Sequence, residues 1–224
     1  MQSYEVEIKS LLGNGERADE LRRAMQELDP SCALLSVNRQ LNHYFENGSL
    51  ADLYEKVAQK LSTEAAARFS DIAGEAANLS VRTRDKDGAV FLIVKATLRD
   101  DSSANGVARM EFEEKVLLTL AELDQLVMSA GFRYQAKWSR QREEYLCRGV
   151  NVTLDKNAGY GWLAEFERIV NDPVKVDDAE REVRSLMQDL GAVELPQERL
   201  ERMFSHYNKH WQDYYGTEKI FIVE

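Results

Sequence analysis

The chain has 224 residues, 44% of them apolar and only three of them Pro, enough to bury a core and too apolar for disorder. Its 29 Lys and Arg stand against 39 Asp and Glu, a formal net charge of −10, which excludes a general nucleic-acid binder and disfavours docking on an anionic membrane. Cys32 and Cys147 are far apart, lack metal-ligand spacing and read as reduced, partly buried thiols; with no signal sequence and no apolar run near about 20 residues, the expected location is the cytoplasm.

Residues 3–12 alternate polar and apolar and predict a strand. A helix follows, with Leu21, Met25 and Leu28 at helical spacing and Pro30 closing it. "LLSVNRQLNHYFEN" is strand-like. Residues 49–78, rich in Ala, Glu and Lys, predict one helical segment. Asp87-Gly88 divides two strand-like runs and marks a hairpin. "SSANG" (102–106) reads as a loop, "VARMEFEEKVLL" as a strand, and "LAELDQLVMSAG" as a helix ended by Gly131. Three strands follow, with turns at Arg148-Gly149 and Asn157–Gly161. Helices are expected over 176–191 and 196–215. About eight strands joined mostly by hairpins suit an α+β fold: a closed eight-stranded antiparallel β-barrel flanked by helices, one domain over 1–224.

The charged strand faces carry the chemistry. Glu5, Glu7 and Lys9 alternate with Val6 and Ile8, and the pattern returns along the chain. Arg82 and Arg84, Glu111 and Glu113, Arg140 and Arg142, and Glu165 and Glu167 each lie two apart, hence on one sheet face. Lys95 and Asp155 end further strands. Any single pair fits a solvated outer face. The set of six cations and seven acids, segregated by strand, fits a ligand held between them. Carboxylates recruit Mg²⁺ or Mn²⁺, and guanidinium and ammonium groups bind phosphate. The ligand that needs both is a metal-bound polyphosphate.

Other residues weigh less. His43 on a strand reads as a packed or surface histidine. His206 and His210 have the i, i+4 spacing of a zinc pair but no third ligand. Trp138, Trp162 and Trp211 read as packing residues, with Trp162 placed to stack on a ring.

These motifs resemble the CYTH superfamily of triphosphate tunnel metalloenzymes, which includes thiamine, inorganic and RNA triphosphatases and class IV adenylate cyclases. "EVEIK" resembles its ExExK signature, "RQLNHYF" its second strand, and "VRTR" with Lys95 its Arg-x-Arg…Lys hairpin. "RMEFE", "RQREEY" and "LDKNAGYGWLAEFE" resemble its later strands, and "DDAEREVRSLMQDLG" the helix that follows. The match runs in order from residue 4 to about 191. Asn42 stands where Asp is frequent, Arg140 where Lys is usual, and the 49–80 segment is longer than expected.

The resemblance implies an eight-stranded tunnel that hydrolyses a small-molecule triphosphate with Mg²⁺ or Mn²⁺. It implies Glu5, Glu7, Glu111, Glu113, Glu165 and Glu167 as the metal set. Lys9, Arg82, Arg84, Lys95, Arg140 and Arg142 would bind phosphate. Glu5, Glu7, Lys9, Lys95 and Asp155 would carry catalysis. Arg202 and Lys219 compete for a basic C-terminal position. A class IV cyclase and a non-catalytic polyphosphate sensor are the alternatives; both first-motif carboxylates are kept, which favours hydrolysis. The expected partners are the triphosphate and, at most, a second copy of the chain.

Overall fold

The computed structural model describes residues 4–75, 78–97 and 109–222. Eight strands run β1 (Tyr4–Gly13), β2 (Ala33–Glu46), β3 (Asn78–Lys86), β4 (Ala89–Thr97), β5 (Arg109–Val116), β6 (Arg133–Cys147), β7 (Val150–Asn157) and β8 (Gly161–Val170). The α-helices are α1 (Gly15–Leu28), α2 (Leu50–Val57), α3 (Thr63–Glu75), α4 (Leu120–Ser129), α5 (Val176–Asp189) and α6 (Gln197–Tyr214). The expected loop at 102–106 lies outside the described residues.

The strands form one sheet in the order β1-β8-β7-β6-β2-β3-β4-β5. Among the described residues no ladder pairs β5 back to β1, so the sheet is open and the expected closed barrel is not formed. The physical reason is separable from the strand pattern. Alternation gives each strand two faces, whereas closure requires the two edge strands to meet at a fixed tilt and stagger.

The long 49–78 helix is two. A 3₁₀ turn over Ala58–Lys60 follows α2, and Ser62 then accepts from the Ala65 amide at 3.1 Å to begin α3. The Asp87-Gly88 turn takes positive φ at both residues, 50° and 85°, the geometry that matches the twist of a hairpin. At Gly161 (φ 73°) a Cβ would stand 2.3 Å from the Gly13 carbonyl oxygen, so only glycine lets β8 start against β1 there.

The described residues divide into two compact units: one holds residues up to Asn38 and from Ser139 onward, the other 39–75, 78–97 and 109–138. In the first, Ile8, Val152, Leu154, Ala164 and Phe166 turn one sheet face onto Leu21 and Met25 of α1 and Val183, Leu186 and Met187 of α5. In the second, Phe45, Val81, Leu92, Val94 and Phe112 pack on Leu53 of α2, Phe69 of α3 and Leu123 and Val127 of α4. In both units these strand residues are covered by helices, and alternate positions on the other face carry the charged residues.

Cys32 and Cys147 are free and buried, and they lie in the same core cluster. Asp29 brings them together, accepting from the amides of Ser31 at 2.9 Å and Arg148 at 3.2 Å. Burial, then the contact with Cys32, pushes Cys147 up to about 12, which makes it unreactive.

Candidate functional site

In the first unit the charged residues fall into rows across four strands. Glu7 lies opposite Glu167, which lies opposite Asn151. In the next row Lys9 faces Glu165, Glu165 faces Thr153, and Thr153 faces Glu144. Beyond it Arg142 faces Asp155, and Arg140 faces Asn157. Glu5 extends the acidic end, opposite Ile169. The face thus grades from carboxylates on β1 and β8 to guanidinium groups on β6.

Asp155 is fully buried and is the anchor of the basic end. Its Oδ1 accepts from Arg142 Nε at 2.7 Å, and its Oδ2 accepts from Arg140 Nη1 at 2.8 Å and from Arg142 Nη2. Arg142 Nη2 also reaches Glu165, and Lys9 Nζ pairs with Glu7 and stands 3.8 Å from Glu165. Burial works to neutralise Glu165, but Arg142, Lys9 and Arg140 outweigh it and hold its carboxyl below the usual range. Burial likewise opposes the charge on Arg142, and Asp155 and Glu165 overcome it and raise its pKa. A cleft of about 470 Å³ is lined by Asn151, Glu167 and Ile169 together with Asp172 and Lys175.

In the second unit Arg82 faces Tyr44 and Arg84 faces Asn42 across the β2–β3 ladder. The Arg82 guanidinium lies 4.2 Å over the Tyr44 ring, and its Nε donates to Ser80 Oγ at 3.1 Å. Arg84 Nε donates to Asn42 Oδ1 at 2.8 Å, and its Nη1 donates to both Glu113 oxygens at 3.1 Å. Lys95 is half-buried and sits opposite Glu111 in the ladder; the Glu111 side chain lies outside the described residues.

Sequence reasoning missed Glu144, which accepts from Asn38 Nδ2 at 3.1 Å. The signal was present, since Glu144 continues the alternation of Arg140 and Arg142. It missed Tyr44 as the seat of Arg82, which only cross-strand register reveals. Arg202 and Lys219 are both exposed. The Lys219 carbonyl accepts from the Gly159 amide at 2.8 Å and the Phe221 amide donates to the Gly159 carbonyl, which ties the tail to the β7–β8 turn. His206 and His210 pack with their ring centroids 4.7 Å apart, beside Phe221. His43 is buried in the second unit, packed rather than on the surface.

Residues 3–198 match the CYTH domain family. The chain belongs to the CYTH family. Members of this family are triphosphatases or cyclases and are in general metal-dependent. No curated protein matches the sequence. A conserved hypothetical protein of Pyrococcus furiosus is similar in structure at 18% identity and a TM-score of 0.61, over 88% of this chain and 98% of its own. The PH1819 protein of Pyrococcus horikoshii follows at 21% identity and 0.59, over 87% and 94%. A proposed adenylate cyclase of Vibrio parahaemolyticus matches at 14% identity and 0.61, over 92% and 99%. At these identities the likeness concerns the fold.

Among the described residues no three carboxylates, histidines or cysteines converge as a ready metal cage. The donor chemistry nevertheless fits a hard divalent cation. Glu7 and Glu167 are directly opposed on one face, with Glu165 two residues along, and carboxylate oxygens are what such ions take. Lys9 and Arg142 hold Glu7 and Glu165 in this arrangement. Among the described residues no helix is long and apolar enough to cross a membrane.

Proposed function

We propose that this CYTH protein hydrolyses a small-molecule triphosphate with Mg²⁺ or Mn²⁺. The observation that carries the reading is the graded face of the first unit, with Glu7, Glu165 and Glu167 at one end and Arg140 and Arg142 on a buried Asp155 at the other. Glu7, Glu165 and Glu167 would hold the cation, with Glu5 at the same end of that face. A bound divalent cation supplies charge neutralisation on phosphate oxygens and a more acidic water.

The protein's own part is placement. Lys9 and Arg142 are neutralised by Glu7 and Glu165; with those carboxylates on a cation, both would be available to bind phosphate. Asp155 holds Arg140 and Arg142, so their forks would stay oriented without Glu165. Arg82, Arg84 and Lys95 are assigned to phosphate by the same chemistry. Phosphoryl transfer needs little covalent help beyond such positioning and neutralisation.

The test is phosphate release from tripolyphosphate, ATP and thiamine triphosphate with each metal. Terminal phosphate release that stops in EDTA is expected. Pyrophosphate with cyclic AMP from ATP would replace this reading with the cyclase. Ligand-induced stabilisation without turnover would replace it with a polyphosphate sensor.

A further inference from the structure

Behind the arginine pair of β3 lies a buried carboxylate that the proposed chemistry does not use. Asp124 is 4% exposed and sits in α4. The start of that helix is fixed: Thr119 Oγ1 accepts from the Glu122 amide at 3.3 Å, and Glu122 accepts from the Thr119 amide and hydroxyl, each at 2.8 Å. Leu123 and Val127 bury the flanks of Asp124 in the core.

Three donors from three strands converge on it. Asp124 Oδ1 accepts from Thr83 Oγ1 at 2.6 Å. Its Oδ2 accepts from His43 Nδ1 at 2.6 Å and from the Tyr134 hydroxyl at 2.7 Å. Burial works to raise the Asp124 pKa, but the His43, Thr83 and Tyr134 bonds prevail and lower it. The carboxylate therefore stays ionised and acts only as an acceptor, so the Nδ1 hydrogen belongs to His43.

The register gives this contact its reach. His43 and Thr83 are directly opposed across β2 and β3. The pairs on either side of them are Asn42 with Arg84 and Tyr44 with Arg82. Side chains alternate between faces. Asp124 thus grips, from the helix side, the one pair that both arginine pairs flank on the other side. A one-residue slip between these strands would move the arginines off their seats.

We propose that Asp124 is a positioning residue for triphosphate binding: by clamping His43 and Thr83 it keeps Arg84 on Asn42 and Arg82 on the Tyr44 ring. This rests on the reading of Arg82 and Arg84 as phosphate ligands. Asp124 itself touches no phosphate and takes no part in bond making.

The test uses the full chain carrying Thr83→Val, which removes one donor at nearly constant shape, and Asp124→Asn, which removes the charge. KM and kcat for tripolyphosphate are measured with the side-chain Nε–H NMR signals of Arg82 and Arg84. Expected is a rise of roughly 5- to 30-fold in KM with kcat within about twofold, as for a displaced binding group. Both Nε–H signals should shift towards free arginine. Lower melting temperatures with KM and both signals unchanged would overturn the proposal, because Asp124 would then be a core fastener alone. If the wild-type protein neither binds nor hydrolyses any triphosphate, the reading of the arginines fails instead. The Nε–H signals of Thr83→Val still decide the positioning: movement supports it and constancy overturns it.

Discussion

Arg140 and Arg142 in the first unit share one carboxylate that water does not reach, whereas Arg84 in the second pairs with a Glu113 whose side chain is 34% exposed. Arg82 rests on a hydroxyl and a ring. The same residue type is thus held in two ways. Two guanidinium groups on buried Asp155 are rigid and already compensated, and they depend on it heavily. Arg82 is seated by neutral neighbours and Arg84 by Asn42 and a carboxylate that water reaches, so the β3 arginines stabilise the fold less but retain more charge to offer an anion.

The largest effect that would sharpen this contrast is Asp155→Asn. It leaves two half-buried arginines short of their shared anion and should cost about 3–5 kcal/mol in denaturant unfolding. A loss under about 1 kcal/mol would break the comparison. Next, Glu7→Ala should lower phosphate release at least about a hundredfold while the melting temperature holds, since the proposed cation needs Glu7 and the core does not. Arg82→Ala should weaken tripolyphosphate binding about tenfold, or about 1.4 kcal/mol by calorimetry, with little change in stability.

Acid should separate the units further. The folded pKa of Glu165 lies below its ordinary value of about 4.3. Its ion pairs therefore stabilise the fold fully above that pH, and the contribution drains as pH falls through the folded value. Chemical unfolding from pH 6 down to pH 2 should show a steeper loss for wild type than for Glu165→Gln. The smallest effect is expected for Glu113→Gln, below about 1 kcal/mol, because water screens a pair this exposed. A cost equal to that of Asp155→Asn would erase the distinction between the two arginine seats.

Much of the candidate site was legible in the sequence because its signal is local. A period of two places Glu5, Glu7 and Lys9 on one face whatever the strand pairs with, and the same holds for Arg82 with Arg84 and Glu165 with Glu167. The Asp87-Gly88 hairpin followed from two residues able to adopt positive φ. Asp124 was invisible, since one acid on a helix carries no pattern until Thr83, His43 and Tyr134 surround it. The break at Ser62 was masked by helix-forming neighbours on both sides.

The sequence by itself determined which residues share a face, which face turns to the helices, and the family, because side-chain periodicity and turn chemistry are set within a few residues. Only the tertiary structure decided that Glu7 meets Glu167, that one buried Asp155 serves two arginines, that the two cysteines share one core, and that the sheet stays open. Those outcomes depend on register and on which edges meet, and both are fixed by contacts between residues far apart in the chain.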